Sequence, residues 1–141
     1  DYAMTLYLDS IYEYTTTNLR GTVLNLANSI DVGINKLFYI ISGADESTNF
    51  DRHSFVEKNK PRKKIWSTYI PDLISEFMDA VVGQNYEKEH PEHFGIVKSF
   101  WTKSRNTVAH GAEANLTTEE AVELFDSVGH LLDWFQSIID S

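Results

Sequence analysis

Cysteine is absent from the 141 residues, which excludes a disulfide scaffold and any zinc site built on thiolates. Its absence fits a reducing compartment, and the cytoplasm is the expected location. No apolar run approaches the roughly 20 residues of a membrane-spanning helix, so no membrane partner is expected. The first residues show no charged region and cleavage pattern of a secretory signal. Because the chain opens on Asp1 rather than Met, it is expected to be a processed product or an effector domain of a longer protein. A glycine-rich phosphate loop is missing, which argues against a nucleoside-triphosphate enzyme. Period-2 alternation is confined to TLYLDSIYEY near the start, leaving little that reads as sheet. Basic residues are the minority, 12 Lys and Arg against 21 Asp and Glu, for a net charge of -9. Such a deficit argues against a chain that coats DNA or lies on an anionic membrane. Disorder is excluded from the other side: 42% of residues are hydrophobic and 13% aromatic, enough to bury a core.

What remains is apolar spacing of three and four, the pattern of amphipathic helices. Tyr2 to Tyr14 reads as a first helix, with a strand or extended arm as the alternative. Thr15 to Asn18 supplies N-caps for the next element. Leu19, Val23, Leu26, Ile30, Ile34, Leu37 and Ile41 form one face of a long helix that Gly43 ends, widened by Leu24, Ala27, Phe38 and Ile40. Gly21 and Gly33 inside it each cost about 1 kcal/mol relative to alanine, and a glycine kept there permits a close helix crossing. Ala44 to Lys60 has loop composition. Pro61 suits the first turn of a helix over Arg62 to Val82, with Pro71 kinking or splitting it. Gly83 to His90 reads as a polar connection. Pro91 opens a helix carrying Phe94, Val97, Trp101 and Val108 on one face and stopping near His110-Gly111. Thr117 and Glu120 have capping-box spacing before a last helix, about Thr118 to Ile139. Its broad face is Val122, Phe125, Val128, Leu132, Phe135 and Ile139, with Leu124, Leu131 and Ile138 beside them, wide enough to serve a second subunit as well. The expected fold is a single all-α domain, an antiparallel bundle of four or five helices.

Chemistry concentrates in SRNTVAHG, Ser104 to Gly111. Residues five apart lie about 140° apart around a helix, so Arg105 and His110 share no face of a straight one. They converge only if the helix ends between them or a second chain supplies a partner, and Gly111 is the residue that ends helices. Lys98, seven residues before Arg105, shares its side. Histidine accepts and donates protons near neutral pH. Arginine presents a permanent charge and a planar fork to phosphate oxygens. With the amide of Asn106 beside them, these groups suit RNA transesterification without metal or cofactor: His handles a proton, and Arg stabilises charge building on phosphorus. DNA, lacking the 2′-hydroxyl, should be inert.

An all-α bundle whose penultimate helix ends in Arg-Asn-x-x-x-His resembles the HEPN superfamily. The resemblance implies a metal-independent endoribonuclease whose active site forms across a homodimer from Arg105, Asn106 and His110 of each copy. It further implies antiviral defence, abortive infection or toxin–antitoxin function, with an antitoxin or a sensor domain as partner. Members often carry an acidic residue in an early helix that orients the motif; Asp31 is the candidate. The alternative is a catalytically inactive dimerisation or partner-binding module in which Arg105 and His110 only cap a helix.

Six of the 12 cations fall between Arg52 and Lys64, opposed there only by Glu57. Lys58, Lys60, Arg62, Lys63 and Lys64, with Lys98, are the candidate RNA contacts; a solvated loop with a basic helix start is the alternative. Trp66 and Tyr69 follow that stretch and have the chemistry of base stackers, although core packing is the expected role of both. His90 and His93 flank Glu92, but Pro91 spoils helical presentation of a metal pair, and a polar helix start is expected. His53, in the basic loop, is placed to touch phosphate, although a solvated loop histidine is the expected reading, and His130 reads as a partly buried structural one. Ser104 lacks any readable Ser-His-Asp arrangement.

Overall fold

Asn18 accepts from the Gly21 N–H at 3.0 Å, and Gly43 adopts φ 71°, so the longest helix is capped at both ends. The computed structural model describes residues 1–109 and 111–141. Among them the chain forms seven helices and no strand: α1 (Tyr2–Thr15), α2 (Leu19–Ser42), α3 (Arg52–Asn59), α4 (70–82), α5 (Tyr86–Glu89), α6 (91–109) and α7 (Thr118–Ile139). No helix among the described residues is long and apolar enough to cross a membrane.

The fold is the all-α bundle the periodicity predicts. Helix α2 packs against α1, α7 and the C-terminal half of α6, and α6 packs against α7. The predicted α2 face is buried from Val23 through Leu37. The capping box forms as expected, Thr117 Oγ1 accepting from the Glu120 N–H while Glu120 Oε1 accepts from the Thr117 N–H, both at 3.1 Å. Gly33 marks a close crossing, because a Cβ there would stand 3.0 Å from the Phe135 ring and 3.1 Å from Leu132. On α7 the buried face takes in Val128, Leu132 and Phe135 of the predicted stripe with the flanking Leu124, Leu131 and Ile138, and it adds Ala121, while Val122 is 62% exposed.

The count of helices exceeds four or five because two stretches read as connections contain short helices. Asp51 caps α3, accepting from the His53 N–H, and Asn85 caps α5, accepting from the Lys88 N–H. Polar composition hid both, since a cap and one buried residue each, Val56 and Tyr86, suffice. Conversely, residues 61–69 are not helical, and Pro71 opens α4 instead of kinking it. A proline in the first turn lacks only an N–H that would go unpaired there, and the extended N-cap residue Tyr69 precedes the turn. Both α4 and α6 contain π-helical turns, Leu73–Phe77 and Phe100–Arg105. Nothing in the sequence signals either.

Candidate functional site

The stretch from Ser104 onward sits where α6 changes from a π turn to its last α turn, Asn106–Ala109. The Gly111 N–H donates to the Val108 carbonyl at 3.0 Å and the Ala112 N–H to the Thr107 carbonyl at 3.1 Å. That pair of bonds is the Schellman pattern, and Gly111, at φ 90°, supplies the left-handed residue it needs. The predicted break at the motif is therefore present. His110, the predicted acid/base, lies outside the described residues.

Arg105 is held on two sides. Its guanidinium carbon stands 4.6 Å from the centroid of the Trp101 ring, and Nη1 donates to Asn106 Oδ1 at 3.0 Å. Trp101 is itself fixed, 1% exposed, with its indole N–H donating to the Thr68 carbonyl at 3.2 Å. Asn106 uses its other end as well, Nδ2 donating to the Thr102 carbonyl at 3.2 Å. Each half of that amide makes one bond, so Asn106 holds Arg105 while keeping a second N–H and a second lone pair for another partner. Thr102 Oγ1 lies 3.1 Å from the Tyr69 hydroxyl, linking the segment before α4 to the motif helix.

A second arginine, which the motif did not flag, reaches the same place. Arg20, in the first turn of α2, donates from Nη1 to the Val108 carbonyl at 3.2 Å, a cation on the carbonyl end of a helix. Its signal was only its position beside the N-cap of the helix that crosses α6. Among the described residues, neither Arg20 nor Arg105 forms an ion pair. The other two arginines do. Arg52 Nη2 stands 3.0 Å from Asp31 Oδ1, and Arg62 grips Glu76 at 2.6 and 2.9 Å and Asp72 at 3.3 Å. The Arg62 bonds hold the Glu76 carboxyl below its ordinary range, while burial pushes Asp72 up despite the same partner.

Several predicted site residues are thereby reassigned. Asp31 pairs with Arg52 and, among the described residues, makes no hydrogen bond or ion pair with Arg105 or Asn106; it lies in an open cleft of about 920 Å³ also lined by Tyr39, Phe50, His53 and Ser67. The charges of Asp31 and Arg52 in that cleft neutralise each other. Lys60 is 2.9 Å from Glu57 and donates to the Lys63 carbonyl at 3.0 Å, so it braces its own segment, as Arg62 braces α4. Lys58, Lys63, Lys64 and Lys98 are exposed and form no ion pair among the described residues. The π turn between Lys98 and Arg105 breaks the straight-helix phase that put them on one side. Trp66, expected in the core, is 56% exposed. Ser104 lines a small cleft of about 190 Å³ with Lys103, Thr107 and Glu113. His53 Nδ1 lies 3.1 Å from Ser67 Oγ.

The remaining histidines gather at the opposite end of α6. The His130 ring centroid is 4.1 Å from that of His93, nearly parallel, and 4.4 Å from that of His90. Tyr86 OH meets His130 Nδ1 at 2.8 Å, and Ser127 Oγ meets His93 Nδ1 at 2.9 Å. Burial, then the nearby His93 and His90, push His130 below its ordinary pKa, with Asp133 and Asp126 opposing. Burial raises the Tyr86 phenol, which keeps its proton and can donate to the neutral ring. Among the described residues no group of three His, Asp or Glu side chains is arranged to hold a metal ion. Comparison with protein-family models, with curated proteins and with solved structures finds no match to this chain.

Proposed function

We propose that the chain is a HEPN-like, metal-independent endoribonuclease acting in defence or as a toxin, with Arg105 and His110 as its catalytic residues. The observation that carries this is the state of Arg105: an aromatic-stacked, amide-held guanidinium without a carboxylate partner among the described residues, in a chain of net charge -9. An acidic protein that leaves a preorganised arginine unpaired at a helix end has a place for an anion. Side-chain order of this kind suits a charge that develops late, because no reorganisation is needed when it appears.

In the reaction, the ribose 2′-oxygen attacks the adjacent phosphorus as the P–O5′ bond breaks. A base takes the 2′-hydroxyl proton, an acid protonates the departing 5′-oxygen, and a 2′,3′-cyclic phosphate forms. His110 serves as base or acid, and Arg105 binds the non-bridging oxygens. Asn106 fixes the guanidinium plane. Arg20 adds a second positive charge nearby, and the exposed Lys63 and Lys64 draw RNA toward the site. One histidine cannot both accept and donate in the same instant, so two copies of the chain, each bringing Arg105 and His110, complete the set.

The test is cleavage of labelled RNA in excess EDTA, with His110→Ala at matched fold. Cleavage by the parent to cyclic phosphate ends, lost in the variant, is expected; equal activity of the two would assign it elsewhere. Parent chain mixed with an excess of His110→Ala chains should lose activity, because each mixed dimer carries a single His110. The binding-module alternative is favoured by one feature, the exposed row Met4, Leu8 and Tyr12 along α1. It predicts a parent inert toward RNA.

A further inference from the structure

Trp66 is the anomaly of the core. Of the three tryptophans, Trp101 and Trp134 are 1% and 5% exposed, and Trp66 is 56% exposed. Its setting is rigid. Ile65 before it and Ile70 after it are fully buried. The Tyr69 N–H donates to the Trp66 carbonyl at 3.1 Å, closing a turn, and the Thr68 carbonyl inside that turn accepts the Trp101 indole N–H. The same turn presents Tyr69 to Thr102, whose carbonyl accepts from Asn106, which holds Arg105. The ends of a β-turn lie within about 7 Å of each other. Trp66 therefore stands one turn and one side chain away from the motif helix.

The charge around it is also unusual. Lys60 Nζ sits 5.6 Å from the Trp66 ring centroid, and Lys63 and Lys64 are exposed beside it. An indole left in water forgoes burial energy that the Lys60 contact offsets only in part, and the cations around it repel a basic partner. An unpaired base of a polyanion satisfies both: its face stacks on the ring, and its phosphates meet the lysines.

We infer that Trp66 is a stacking platform that seats one unpaired base of a single-stranded RNA beside the phosphate held at Arg105. This deepens, and rests on, the ribonuclease reading, and it names the substrate class: a strand with at least one splayed base next to the cut. A base within a duplex is stacked on its neighbours and cannot reach the ring.

The experiment uses a 2′-O-methyl oligoadenylate of about eight nucleotides, within the range of single-strand site sizes, which cannot be cleaved because its nucleophile is blocked. Because the other two tryptophans are buried, quenching of the acrylamide-accessible emission reports Trp66. Binding should quench that fraction. Trp66→Ala should weaken binding by about 10- to 100-fold, the range expected for one stacked base, and Trp66→Phe should restore most of it. Duplex RNA of equal length should bind more weakly than the single strand. Equal affinity of parent and Trp66→Ala, binding without quenching, or no binding at all would overturn the platform. So would quenching by an acidic peptide and not by the oligonucleotide, which would make Trp66 a protein-docking residue. The two proposals fail separately. Binding through Trp66 without cleavage of unmodified RNA would sink the ribonuclease and keep the platform. Undiminished cleavage by Trp66→Ala would do the reverse.

Discussion

The two ends of α6 carry the same kinds of side chain in opposite states. At the N-terminal end His90 and His93 both pack against His130, and two of the three have a ring nitrogen against a hydroxyl, Tyr86 or Ser127. At the C-terminal end, among the described residues, two arginines meet an indole, an amide oxygen and a carbonyl, all neutral. Counting titratable groups would place the chemistry at the histidine end. Counting unmet electrostatic demand places it at the other. A hydrogen-bonded cluster is already answered by its own protein, whereas a held cation without an anion is open to a ligand.

The sharpest way to break this comparison is Arg105→Ala. Loss of one transition-state donor is worth roughly 10²- to 10³-fold in rate, and cleavage should fall by about that much. Stability should fall only modestly, by about 1–2 kcal/mol, because a half-buried cation–π contact lies between the exposed and the desolvated cases. Arg105→Lys should not rescue the rate: an ammonium cannot lie flat on Trp101 and also present a fork to phosphate. Single-turnover cleavage and thermal unfolding on the same samples decide it, and a rate within a few-fold of the parent would dissolve the distinction between the two ends.

The histidine end should respond to acid instead. Its His130 has a folded-state pKa pushed below the ordinary value of 6.5. The folded form therefore prefers the neutral ring, and the stability this provides is complete above about pH 6.5 and is lost as pH falls toward the depressed folded value. Thermal midpoints should hold from pH 8 to 7 and decline toward pH 5. In His130→Gln, which has no proton to gain, the decline should be shallower even if the midpoint at pH 8 is lower. Parallel curves for the two proteins would place the acid sensitivity elsewhere, for instance at the carboxylates.

How far the sequence carried to this point differs between levels. Helices α1, α2 and α7 were legible because long stretches repeat one spacing and end in recognisable caps, Asn18, Gly43 and Thr117 with Glu120. The short helices were not, because α3 and α5 each rest on one cap and one buried residue rather than on periodicity. At the site, the helix end at Gly111 could be read, since a left-handed residue there favours glycine. The company of Arg105 could not. Trp101 falls four residues earlier in a plain helical register, but Arg20 comes from a different helix, and Asp31 is drawn to Arg52 by the packing of α3. Nothing in a basic run says which of its members already have partners.

That last point gives the finest comparison, between neighbours in one segment. Arg62 is bound to Glu76 and Asp72, whereas Lys64 is exposed and without an ion pair among the described residues. If only unmatched cations meet RNA, the two should differ in how binding depends on salt. Each phosphate contact to a single strand contributes about 0.7 to the slope of log affinity against log salt. Lys64→Gln should lower that slope by about this amount and weaken binding uniformly across sequences, because a lysine on a phosphate reads no base. Arg62→Gln should leave the slope unchanged, since releasing Glu76 and Asp72 removes no contact to RNA. Titrations of the uncleavable oligonucleotide at several salt concentrations measure both. Equal slope changes would mean that Arg62 leaves its carboxylates when RNA arrives, and that an ion pair in the free protein does not disqualify a cation from the interface.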